Sequence, residues 1–134
     1  MSIFVDTSAW YALIDEDDSG HSATVDFKKS LTHSLVTTNY VADEIVTLVK
    51  VRLGHEIAVE IGGKLWDESL ATLIRVTSSD EKKAWEIFAK HKDKGFSFTD
   101  CTSFAVMERL GIIEAFAFDE HFEQYGGLIR LPQD

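Results

Sequence analysis

Apolar and polar positions along this 134-residue chain follow two alternating rhythms. Short apolar runs are separated by longer stretches with helical spacing. Ile3-Phe4-Val5 is continuous, has no polar alternation, and ends on Asp6. Such a run predicts a strand buried on both faces. The same shape returns at Ala115-Phe116-Ala117-Phe118, which ends on Asp119. Residues 34–38 and 71–76 read as two further strands between them, and residues 128–131 as a short last one. Helical spacing covers about residues 8–14, 21–32, 40–53, 56–69, 78–91 and 100–110. Strands alternating with helices predict an α/β fold, a parallel sheet covered on both faces, in one domain spanning residues 1–134.

Stop and start signals agree with this division. Thr7 or Ser8 is expected to cap the first helix, Asn39 the third and Thr99 the last, and Ser78 and Glu81 have capping-box spacing. Gly54 and Gly111 are expected stops, whereas Gly62-Gly63 is a soft spot inside a helix. The acidic run from Asp15 to Asp18 reads as a solvated turn.

Helical geometry separates ordinary acids from odd ones. At 100° per residue, Tyr40, Val41, Ile45, Leu48 and Val49 share one face, and Glu44 falls inside it. Asp43 points the other way, with Lys50. On the last long helix, Asp100 stacks with Phe104 and Met107 on the packing side. An acid in a first turn also complements the helix dipole, so Asp100 has an ordinary explanation that Glu44 lacks.

Composition narrows the function. Hydrophobic content is 45%, which supports a packed core. No apolar run reaches the ~20 residues of a membrane span, and the start of the chain lacks a signal-peptide layout. A single cysteine, Cys101, excludes an internal disulfide, and a reduced, cytoplasmic protein is expected. The net charge of −10 argues against passive nucleic-acid binding. It leaves room for an enzyme that meets nucleic acid through bound metal, because a metal inverts the local field.

Asp6, Glu44, Asp100 and Asp119 are thus the acids that do not fit their surroundings. Two unit charges ~4 Å apart repel by ~4 kcal/mol at an effective dielectric near 20. If these groups converge, they need raised pKa values or a cation. All-oxygen ligation selects Mg²⁺ or Mn²⁺, and such an ion suits phosphate chemistry through an activated water.

The residues around these acids carry a resemblance. Val5-Asp6-Thr7-Ser8-Ala9-Trp10, Thr37 to Glu44, Phe98-Thr99-Asp100 and Phe116 to Phe122 resemble, in order and spacing, the motifs of PIN-domain ribonucleases. The likeness is greatest to VapC-type toxins of toxin–antitoxin pairs. It implies a three-layer α/β/α sandwich, mainly parallel, with strand order 3-2-1-4-5. It also implies Mg²⁺- or Mn²⁺-dependent endonucleolytic cleavage of RNA. Asp6, Glu44, Asp100 and Asp119 would be the catalytic and metal-holding acids, with Thr7 or Ser8 as polar support beside them. The implied partners are an RNA substrate, an antitoxin protein and a second copy in a homodimer.

Other signals weigh less. His121 reads as a surface or capping residue, and Cys101 has no basic neighbour to activate it. Trp10, Tyr11 and Phe4 read as core. Lys50, Arg52, Arg75, Lys92 and Lys94 are candidate phosphate contacts, each more often a solvated surface charge. A phosphorelay receiver would need an acid ending the third strand, where Val76-Thr77-Ser78 stands. A haloacid-dehalogenase-like phosphatase would need an acid at position 8, which is Ser8. A PIN fold that binds RNA or protein without cutting is the remaining alternative.

Overall fold

The computed structural model describes residues 1–30 and 34–132. In chain order the elements are β1 (Ser2–Val5), α1 (Thr7–Ile14), α2 (His21–Ser30), β2 (Ser34–Thr38), α3 (Asn39–Leu53), α4 (His55–Trp66), β3 (Thr72–Ile74), α5 (Ser78–Lys90), α6 (Phe98–Leu110), β4 (Glu114–Phe116), α7 (His121–Tyr125) and β5 (Ile129–Leu131). The expected end of the second helix, at residues 31–32, lies outside the described residues.

One five-stranded sheet runs in the order β3-β2-β1-β4-β5, and every neighbouring pair is parallel. Parallel strands need crossovers, so helices flank the sheet and both its faces are dry. The central β1 shows the result: Ile3, Phe4 and Val5 are all buried. They pack with Val36, Ala115 and Phe116 from the adjoining strands and with Trp10, Ile45, Phe104 and Phe122 from the helices. The expected sheet, its order and the α/β/α layering all hold. Among the described residues no helix is long and apolar enough to cross a membrane.

The helix starts differ from expectation in a consistent way. The helices α1, α3 and α6 begin a residue or two earlier, because the side chain nearest the strand or turn end takes the cap. Thr38, not Asn39, caps α3 by accepting from Val41 N, while Asn39 Oδ1 accepts from Val76 N and ties α3 to the chain beyond β3. Thr77 and Asp80 form the capping box of α5, displacing Ser78 and Glu81. Ser97, not Thr99, caps α6. Gly62 is no soft spot: a Cβ there would stand 3.2 Å from Val46 Cγ2, so its bareness lets α4 lie close on α3. Gly111 ends α6 in the left-handed region, at φ +69°. The buried Asp80 carboxylate accepts from Arg109 Nε at 2.8 Å and from its NH2 nitrogen at 2.9 Å, fastening α5 to α6.

Candidate active site

Order 2-1-4 in the sheet sets the carboxyl ends of β1 and β4 side by side. Val5 pairs with Phe116, and Asp6 N donates to Phe116 O at 3.0 Å. Open α/β sheets keep their ligands at this end. A cavity of about 530 Å³ lies there. Asp6, Glu44, Asp100 and Asp119 all line it, together with Thr7 and Ser8.

Asp6 is the residue that leaves β1, and it rather than Thr7 or Ser8 caps α1. Its Oδ2 accepts from Ser8 N at 3.4 Å and from Ser8 Oγ at 3.1 Å. The same Ser8 hydroxyl accepts from Phe118 N at 3.0 Å. One hydroxyl therefore fixes the Asp6 carboxylate and the loop after β4 together. Thr7 is buried, and its Oγ1 has no hydrogen-bond partner among the described residues.

Asp100 serves two purposes. As the third residue of α6 it closes the capping box: its Oδ2 accepts from Ser97 N at 2.9 Å, and Ser97 Oγ accepts from Asp100 N at 3.0 Å. That same Oδ2 lies 2.7 Å from His121 Nδ1. The approach is close, yet Nδ1 is buried and not aligned for a hydrogen bond with the oxygen. Asp119 Oδ1 is 3.7 Å from the same nitrogen and accepts from His121 N at 3.1 Å. Ligand atoms of Asp100, Asp119 and His121 all lie within 4.8 Å of one another, a group that could hold a metal ion. Asp6 and Glu44 line the cavity outside that group.

Burial and mutual repulsion both act on these carboxyls. Desolvation raises the Asp6 pKa well above the ordinary carboxylate range, and the charges of Asp119 and Asp100 raise it further. Desolvation also raises Asp100, against the lowering effect of its bond from Ser97 N. Cys101, fully buried beside Asp100, has its thiol pushed up to about 11, first by burial and then by that carboxylate. It is an inert core residue.

A family model for the PIN domain matches residues 3–128. The chain belongs to the PIN-domain family. It is similar to the 23S rRNA-specific endonuclease VapC20 of Mycobacterium tuberculosis, 39% identical over 134 residues that span 98% of this chain and 99% of that protein. At that identity and coverage this PIN domain sits within the VapC group. Ribonuclease VapC26 of the same organism is 28% identical over 111 residues, 80% of this chain and 78% of that protein. The crystal structure of VapC20, described as a Sarcin-Ricin loop cleaving toxin, superposes with a TM-score of 0.88 at 37% identity, covering 92% of this chain and 95% of that one. VapBC2 from Rickettsia felis, solved with a promoter DNA fragment, shares the PIN fold at a TM-score of 0.72 and 12% identity over the whole of both chains.

Two expectations for this PIN domain need correction. Asp119 does not tip a strand: β4 ends at Phe116, and Asp119 sits in the turn before α7. The run Ala115 to Phe118 looked continuous, but Phe118 is 39% exposed and belongs to that turn. His121 is not a mere surface residue. As the first residue of α7 it brings Nδ1 against two of the acids, and Phe96 holds its ring edge-on at 5.7 Å and 79°. A turn that begins at Asp119 returns His121, two residues on, to the same site. Trp10 and Phe4 are core as expected, whereas Tyr11 is half-buried and lines the cavity.

Proposed function

We propose that this protein is a metal-dependent endoribonuclease and the toxin of a type II toxin–antitoxin pair, with structured RNA of the ribosomal kind as its substrate. The observation that carries the reading is the convergence of Asp6, Glu44, Asp100 and Asp119 on one cavity at the carboxyl end of a parallel sheet. The similarity to VapC20 over the whole chain supports the choice of RNA.

The donor set fits a divalent cation. Two carboxylates and an imidazole nitrogen offer ligand atoms at close quarters, in a cavity also lined by the buried Thr7, whose hydroxyl has no partner among the described residues. Buried acids held this way gain most from a positive charge among them. Oxygen-rich ligation favours Mg²⁺ or Mn²⁺. Asp100, Asp119 and His121 would hold the ion, with Asp6 beside them. When bound, it supplies charge neutralisation for the phosphate and a more acidic water.

The chain's own groups do the rest. Ser8 donates to Asp6 and accepts from Phe118 N, so the Asp6 carboxylate stays oriented. Ser97 N holds Asp100 in the same way. Glu44, on α3 and outside the ligand group, takes the proton from the attacking water. The water oxygen bonds to phosphorus, the bond to the leaving ribose oxygen breaks, and that oxygen is protonated from solvent.

The cognate antitoxin and a homodimer belong to the same proposal. Trp85 and Phe88 stack at 5.8 Å on α5, are 62% and 40% exposed, and supply an apolar face for a second copy. The deciding experiment incubates purified protein with a sarcin–ricin stem-loop RNA in Mg²⁺, Mn²⁺ or chelator. Site-specific cleavage that needs the ion and is lost in Asp119→Asn is expected. Intact RNA under all conditions would overturn the reading.

A further inference from the structure

An acidic cavity is a poor place for a polyanion unless something on its rim attracts the backbone. Among the described residues that line this cavity, Arg52 is the only lysine or arginine. The other candidate cations are elsewhere: Arg75 lies over the Trp66 ring at 5.3 Å, and Lys94 faces Asp93 at 3.5 Å.

Arg52 is held in place rather than free to sweep. It is exposed on the last turn of α3, two turns beyond Glu44. Its guanidinium carbon stands 5.1 Å from the centroid of the Tyr11 ring. Tyr11 is anchored in turn, its hydroxyl donating to Asp15 Oδ2 at 2.6 Å. At that distance the cation is attracted to the ring face, which holds the guanidinium at the cavity rim. Its planar fork of N–H donors suits a bidentate contact with phosphate oxygens, for which Tyr11 and the neighbouring Asp15 carboxylate compete.

We propose that Arg52, seated on Tyr11, clamps an RNA backbone phosphate next to the scissile one and so positions the substrate over the acids. This rests on the ribonuclease reading above. Arg52 is a positioning residue: it holds a non-reacting phosphate and takes no part in bond cleavage. Tyr11 and Asp15 set its geometry.

The test has two arms on the same labelled sarcin–ricin stem-loop RNA. In the first, binding is measured by fluorescence anisotropy with Mg²⁺, in an Asp119→Asn background that does not cut. Arg52→Ala should weaken binding about tenfold and flatten the plot of log affinity against log salt by about one unit, the mark of one lost phosphate contact. Arg52→Lys should keep the salt slope and recover part of the affinity. Tyr11→Leu, which removes the seat, should fall between wild type and Arg52→Ala. In the second arm, cleavage by the otherwise unaltered chain should show KM raised about tenfold by Arg52→Ala with kcat within about threefold.

A purely structural role would lower the melting temperature and leave affinity and slope unchanged. That result, or a loss confined to kcat, overturns the proposal. Absence of RNA binding by the Asp119→Asn chain overturns it as well. If the unaltered chain binds but never cuts, the nuclease reading fails while the salt slope still decides the role of Arg52.

Discussion

Replacing Asp6 by Asn should stabilise the metal-free protein and weaken its response to metal. Asp6 is 2% exposed, and its ionised form is opposed by burial and by the charges of Asp119 and Asp100. A pair of such charges at ~4 Å costs ~4 kcal/mol at an effective dielectric near 20. Because the raised pKa already relieves part of this, a net gain on the order of 2 kcal/mol is expected on removing the charge. The cap on α1 survives, since asparagine is as good an N-cap as aspartate. For a chain of this size ~2 kcal/mol corresponds to ~8 °C in Tm. Metal works against that gain. At one hundred times its Kd an ion adds ~2.7 kcal/mol to the wild type, and Asp6→Asn should lose most of that. The melting temperatures of the two proteins, well apart in chelator, should therefore converge in millimolar Mn²⁺. A variant less stable than wild type in chelator, or equal metal responses, would refute the reasoning without any RNA being needed.

Three further outcomes are expected. Glu44→Gln should abolish cleavage, whereas Asp43→Asn, one residue away and exposed, should cost less than about threefold; equal losses would overturn the assignment of faces on α3. Folded Asp6 holds its proton to higher pH than an unfolded carboxyl does. Its ionisation therefore erodes metal-free stability as pH rises from about 4, so the advantage of Asp6→Asn should grow between pH 4 and 7, read from denaturation midpoints in chelator; a constant gap contradicts the shift. Arg109→Met should destabilise by about 2–4 kcal/mol in urea titrations, because it strands the buried Asp80 carboxylate; a change under about 0.5 kcal/mol would show that pair to be dispensable.

Strand positions were legible because a doubly buried sheet demands unbroken apolar runs, and Ile3-Phe4-Val5 is such a run. Glu44 was legible because periodicity exposes a charge on an apolar face. Cap identities were not. Thr38, Thr77 and Ser97 each sit within two residues of another good capping residue, and the choice depends on where the preceding strand or turn releases the chain. Asn39 shows this best, for its carbonyl oxygen is taken by Val76, a contact 37 residues away. His121 was missed because its role depends on the turn at Asp119, which apolar Phe118 disguises as strand. Arg52 could be recognised as a cation but not singled out, since its stacking on Tyr11 depends on the packing of α1 against α3.

The pairing of β1 with β4 has a temporal consequence. The first acid of the cluster is at position 6 and the last at 119, joined through a strand contact that most of the intervening chain must be folded to permit. Synthesis from the amino terminus therefore yields an incomplete, harmless site until nearly the whole polypeptide has emerged. The order in which the sheet is assembled thus sets when during synthesis the acids can first act together.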